Sequence, residues 1–267
     1  MDIGLFVPIG NGNATPEVMR ALGTEAEGRG FESVWFPEHV VLFDDYESSY
    51  PYADDGQMPG GSDIGMIEPL TGLTYLAAVT ERLRLGTSIC LVPQRNPVYL
   101  AKQVADLDSL SGGRVELGIG IGWLEEEFGA LNVPFAKRGK RTDEHLQVMR
   151  SLWCDEVSEF HGELYDLPPA RMYPKPVQQP HPPIHVGGES DGALRRVARH
   201  GQGWFTFDRL PGDLDEPLGR LDGFLAEAGR TRDDITLTVS PYFKPITTDD
   251  VKAYADAGVD RLVVLCL

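Results

Sequence analysis

His39 follows the apolar run Val34-Trp35-Phe36-Pro37, with Glu38 beside it. An imidazole titrates near neutrality and can donate, accept or steady an anion, so a histidine at the end of a buried strand suits proton transfer. The same pair is also compatible with a cap that does no chemistry. A second group is Thr87-Ser88-Ile89, inside an apolar strand running from Leu83 to Leu91 and followed by Asn96-Pro97. Small polar residues there leave room for a flat ring and offer it hydroxyl and backbone hydrogen bonds, although Thr and Ser are common at strand ends. The third group is Gly118-Ile119-Gly120-Ile121-Gly122-Trp123, followed by Glu125-Glu126-Glu127. Alternate glycines in a strand mark a bulge or a ligand close to the backbone, and the three glutamates read as a solvated first helical turn favoured by the helix dipole. The fourth is Ile184-His185-Val186-Gly187-Gly188-Glu189-Ser190. Paired glycines between a strand and a helix expose N–H groups to an anion such as phosphate; an ordinary glycine turn is the alternative, and Glu189 opposes an anion.

Other chemistries fail on spacing. His181 and His185 are separated by Pro182-Pro183, which forbids the helix that would align them, so no metal site is expected. There is no G-x-S-x-G elbow, Walker sequence or H-E-x-x-H. Gly10-Asn11-Gly12 lacks the third glycine of a dinucleotide fingerprint, and Trp123 stands where the Gly118-x-Gly120 run would need its last one. Cys90, Cys154 and Cys266 are odd in number and scattered, which reads as small core residues rather than disulfides. A net charge of −17 disfavours nucleic acid and anionic membranes. Lys137, Arg138, Lys140 and Arg141 form the densest basic cluster and read as an exposed helix entry. No apolar run is long enough to span a bilayer and no basic leader precedes the first strand, so a cytoplasmic protein is expected.

The elements that would position these groups alternate short β-branched runs with amphipathic stretches, the rhythm of repeated βα units. The strands are read at Ile3–Pro8, Ser33–Pro37, Leu83–Leu91, Arg114–Ile121, Ile184–Gly187, Gly203–Phe207, Ile235–Tyr242 and Arg261–Leu265. Helices are predicted at Thr15–Arg29, Leu70–Glu81, Pro97–Leu110, Thr142–Trp153, Asp191–His200, Asp213–Glu227 and Thr248–Ala257. At 267 residues the chain is close to the ~250 of a (β/α)8 TIM barrel, and one domain over residues 1–267 is expected. Two insertions interrupt the rhythm: Leu42–Met66, a candidate lid, and Phe160–Pro183, which holds a possible hairpin. The last strand reaches the end of the chain, so a final helix is missing or displaced, and the barrel surface there is expected to be covered by other segments or by a second subunit, with a homodimer the expected assembly. In such barrels function sits at the carboxyl ends of strands, where all four groups fall.

Taken together, Trp35 through His39, Leu85 through Ile89 with Asn96-Pro97, Leu110 through Arg114, Gly118 through Phe128, Arg138-Gly139 with Asp143-Glu144, Pro183 through Gly188 and Gly203-Trp204 resemble the bacterial luciferase-like monooxygenase superfamily. Within it, the chain is most similar to the branch using the deazaflavin coenzyme F420. The resemblance spans nearly the whole chain and implies a TIM barrel with insertion loops. It further implies a cis peptide at Ser88-Ile89 backing the cofactor ring, Gly120 and Gly122 flanking it with Trp123 alongside, and Gly187 and Gly188 at its phosphate. His39 would act on a small-molecule substrate next to the ring, with Glu38 as its catalytic neighbour. Two departures stand out. Family members commonly carry Asp where this chain has Glu38, and the sugar-phosphate dehydrogenase branch carries a catalytic Glu where this chain has Trp123, which implies a more apolar pocket. The function implied is F420-dependent hydride transfer; the alternatives are an FMN-dependent monooxygenase and a non-catalytic flavin- or deazaflavin-binding protein.

Overall fold

The computed structural model describes residues 1–266. Parallel strands β1 (Asp2–Phe6), β2 (Ser33–Phe36), β3 (Arg84–Thr87), β4 (Cys90–Leu91) and β5 (Val115–Gly120) form the first half of a barrel. An antiparallel pair, β6 (Ser158–His161) and β7 (Asp166–Ala170), stands outside it as the hairpin of the second insertion. The barrel continues with β8 (Ile184–Gly187), β9 (Gly203–Phe207), β10 (Thr236–Tyr242) and β11 (Arg261–Leu265). β1 pairs with β2 on one side and β11 on the other, and β3 pairs with both β2 and β5, so the ring closes. The run read as one strand from Leu83 to Leu91 is interrupted at Ser88-Ile89, where the peptide bond is cis, and resumes as β4.

Helices α1 (Pro16–Gly28), α2 (Pro69–Val79), α3 (Pro97–Ser111), α4 (Glu125–Ala130), α5 (Arg138–Cys154), α6 (Asp191–His200), α7 (Asp215–Glu227) and α8 (Thr248–Asp256) pack outside the sheet. Their entries follow local chemistry. The Asn96 side chain accepts from Val98 and Tyr99 N–H ahead of Pro97, and α3 stops at Gly112 in the left-handed region, φ +70°. β5 is buried along its whole length, as expected of a parallel strand covered on both faces. The main core lies between sheet and helices, with Leu73, Leu100, Leu117, Leu146 and Val197 fully enclosed. At the amino-terminal end of the barrel interior, Glu116 pairs with Arg84 and His185, and Arg261 pairs with Glu32. Among the described residues no helix is long and apolar enough to cross a membrane. The cysteines differ from expectation: Cys90 is buried, but Cys154 is exposed and Cys266 is only partly covered.

Candidate active site

The four sequence groups meet at the carboxyl ends of the strands, around one chamber of about 440 Å³. His39, Ser88, Ile89, Gly120, Gly122, Trp123, Gly187 and Gly188 all contribute to its wall. Much of the rest of the wall comes from the first insertion, through Tyr50, Tyr52, Met58 and Ile64, and from Phe6 of β1, Phe207 of β9 and Tyr242 of β10. That insertion lies back on the turn after β1. Ile67 N–H donates to Ile9 O at 2.9 Å and Asn11 Nδ2 to Asp63 O at 2.8 Å. A Cβ on Gly10 would fall 1.7 Å from Gly65 O, so glycine is needed for this close approach. Gly10-Asn11-Gly12 is therefore the seat of the insertion.

His39 is held from outside the barrel. Its Nδ1 lies 3.1 Å from Glu127 Oε2, and because a carboxylate only accepts, Nδ1 carries the proton and Nε2 is left for a ligand. Glu127 has no exposed surface and also accepts from Gln94 Nε2 at 2.9 Å and from Val40 N–H at 2.6 Å. Burial alone would raise its carboxyl, but the His39 hydrogen bond and charge, Gln94 and the Val40 N–H outweigh this and hold it below the usual range. The reading of Glu125-Glu126-Glu127 as a solvated turn thus holds only for Glu125. Glu126 reaches back to the first insertion, accepting from Glu47 N–H at 2.6 Å and Ser48 Oγ at 2.7 Å. Leu124, Glu127 and Phe128 are the buried positions of this segment, and a glutamate on an i, i+3, i+4 stripe was the signal available in the sequence.

Glu38 behaves differently from its expected catalytic role. It is buried, its Oε1 is paired with Arg95, which also meets Glu68, and its Oε2 accepts Leu91 N–H at 2.7 Å. With both oxygens engaged it ties the end of β2 to β4 and has no free atom for proton transfer.

The glycines also divide. A Cβ on Gly120 would sit 1.9 Å from Ile89 Cδ1, and one on Gly187 would sit 3.0 Å from the same atom. These two glycines make a slot that receives the Ile89 side chain, so their identity follows from packing, while their backbones still line the chamber. Gly122 is required by φ +76° and by the Phe128 ring, which a Cβ here would meet at 2.8 Å. Gly188, at φ +101°, would bring a Cβ near only Ala193 Cβ, at 3.5 Å, and leaves its surroundings open. Glu189, expected to oppose an anion there, is turned onto β9, accepting from Thr206 Oγ1 at 2.7 Å and Phe207 N–H at 3.2 Å. Ser88 Oγ is buried on the chamber wall and has no hydrogen-bond partner. An unpartnered hydroxyl beside Ile89 and an open glycine corner on the wall of one chamber are features that suit a flat heteroaromatic ring with a phosphorylated tail.

Trp123 belongs to an aromatic wall. Its ring stands edge-on to Tyr50 at 5.2 Å, Tyr46 at 5.5 Å and His39 at 5.7 Å between centroids. The basic cluster is largely consumed locally: Lys137 and Lys140 pair with Glu163, and Arg138 Nε donates to Gly122 O at 3.0 Å.

The model of the family described as luciferase-like monooxygenase matches residues 1–262. An uncharacterised protein of Mycobacterium tuberculosis is 38% identical over 243 residues, covering 91% of this chain and 83% of that one. An F420-dependent glucose-6-phosphate dehydrogenase of Microbacterium testaceum is 32% identical over 225 residues, 82% of this chain and 62% of that one. An FMNH2-dependent dimethylsulfone monooxygenase of Pseudomonas putida is 34% identical over 142 residues, 52% of this chain and 39% of that one. Among solved structures, a coenzyme F420 dependent tetrahydromethanopterin reductase from Methanopyrus kandleri superposes with a TM-score of 0.78, covering 99% of this chain and 92% of that chain at 17% identity, a likeness of fold.

Proposed function

The chain belongs to the luciferase-like monooxygenase family, and from that membership we propose that it is an oxidoreductase that uses coenzyme F420 to reduce a small electron-poor molecule. The observation that carries this reading is the unpartnered Ser88 hydroxyl and open Gly188 corner lining the same chamber as a histidine with Nδ1 already engaged. Ser88, Ile89 and the Gly120 and Gly122 backbones would hold the ring, and the Gly187 and Gly188 N–H groups its phosphate. Reduced F420 bound there supplies a hydride from its ring. The protein's own contribution is positioning and proton management. His39 Nε2 donates a proton to the substrate atom that gains negative charge, or stabilises that charge. Glu127 orients the imidazole ring by accepting from Nδ1. The first insertion, pinned by Glu126, forms one side of the chamber, and the Glu38–Arg95 pair fixes the strand end that carries His39.

The partial likeness to an FMNH2-dependent monooxygenase supports a second reading, with FMN in the same cradle. Separate fluorescence titrations of the purified protein with F420 and with FMN distinguish them. Saturable F420 binding with weaker FMN binding is expected; tight FMN binding without F420 binding would overturn the first reading.

A further inference from the structure

Among the described residues that line the chamber there is no lysine or arginine. The first insertion, which forms one side, holds Asp44, Asp45, Glu47, Asp54, Asp55 and Asp63 between Leu42 and Met66, and no lysine or arginine. Arg95, behind Glu38, is already matched by two carboxylates. An anionic substrate would therefore approach past an insertion rich in carboxylates and lose its hydration without meeting a lysine or arginine. A cationic substrate finds no free carboxylate inside, because Glu38 and Glu127 are both engaged. The wall offers aromatic surface instead. Trp123, Tyr50, Tyr52 and Phe207 contribute to it, and burial pushes the Tyr50 and Tyr52 hydroxyls upward, so they stay neutral donors.

We propose that the substrate is an uncharged, largely apolar molecule whose flat unsaturated part lies against the Trp123–Tyr50 wall, where no lysine or arginine offsets the charge of a sugar phosphate or carboxylate, the Gly187-Gly188 N–H corner being taken by the cofactor's phosphate. This rests on the reading of the chamber as the reaction site.

Isothermal titration calorimetry with three probes of one shape tests it: 2-acetylnaphthalene, 2-naphthoate and 2-naphthylmethylammonium, each at neutral pH, without cofactor and again with saturating F420. The ketone is expected to bind at least about tenfold more tightly than either charged probe. Ile64→Lys, on the half-buried rim of the wall, is expected to raise naphthoate affinity by about tenfold. Equal or tighter binding of either charged probe by the unmodified protein, no ketone binding, or no naphthoate gain in the lysine variant would overturn the proposal. The arm without cofactor separates the two readings. A ketone preference in a protein that fails to bind F420 removes the cofactor assignment and leaves the substrate class standing.

Discussion

His39 and Glu127 are 88 positions apart, yet the carboxylate fixes which ring nitrogen faces the chamber. Because Glu127 is fully buried and its Oε2 is shared between His39 and Gln94, swinging the imidazole away would cost a buried carboxylate one of its hydrogen bonds. Two substitutions separate chemistry from positioning. His39→Ala should keep F420 binding while lowering turnover of an enone or nitro acceptor by about 10²–10⁴-fold, measured as kcat alongside a fluorescence binding curve. Unchanged turnover would remove His39 from the reaction. Glu127→Gln keeps the size of the side chain but loses the negative charge, and should lower kcat by roughly tenfold or more with little change in KM. A change confined to KM would mean that Glu127 serves binding, not the orientation of the ring. Glu38, read from the sequence as a catalytic neighbour, is a strand tie, and the reason it could not be recognised is that Arg95 and Leu91 reach it only through the fold.

At the scale of elements, the third barrel strand is the informative one. Its composition reads as one apolar run, but Ile89 turns into a slot between β5 and β8 that only glycine at 120 and 187 leaves open. Gly120→Ala should destabilise the protein by about 1–3 kcal/mol by forcing Ile89 out, and a second change, Ile89→Ala, should return part of that loss. Additive effects in a denaturant-unfolding cycle would contradict the packing account. The insertions are anchored by carboxylates from neighbouring helices: Glu126 holds Glu47 and Ser48, and Glu144 accepts the N–H groups of Leu164 and Tyr165 at 2.8 and 3.0 Å. Glu126→Ala should therefore speed proteolytic cleavage within residues 42–66 while moving global stability by only about 1 kcal/mol. Strand runs, helix caps and the glycine corner at 187–188 were legible because each is a local property of the chain. Glu126, Glu127 and the role of Gly10 were not, since each depends on a partner tens of residues away.

For the whole molecule, the closed barrel sets an ion-paired interior end against the chamber end. Burial would raise the Glu116 carboxyl, but the His185 hydrogen bond and charge, with Arg261 and Arg84, hold it at about 2. Its folded value lies below the roughly 4.3 of an unfolded glutamate, so it contributes stability above that pH and loses the contribution as pH falls toward 2. Urea unfolding should show stability falling through this window, and Glu116→Gln should be less stable at neutral pH with a shallower acid slope. An unchanged slope would assign acid sensitivity to other carboxylates. The opposite end of the barrel, where the Ser88 hydroxyl, the Ile89 shelf and the Gly187-Gly188 corner form one cradle, is where the proposed chemistry stands or falls. A crystal structure of the protein with F420 tests it most directly. The deazaflavin ring is expected against Ser88 and Ile89, with phosphate at the Gly187 and Gly188 N–H groups and His39 Nε2 facing the space beside the ring. A ring seated elsewhere, with Ser88 Oγ still unpartnered, would contradict it.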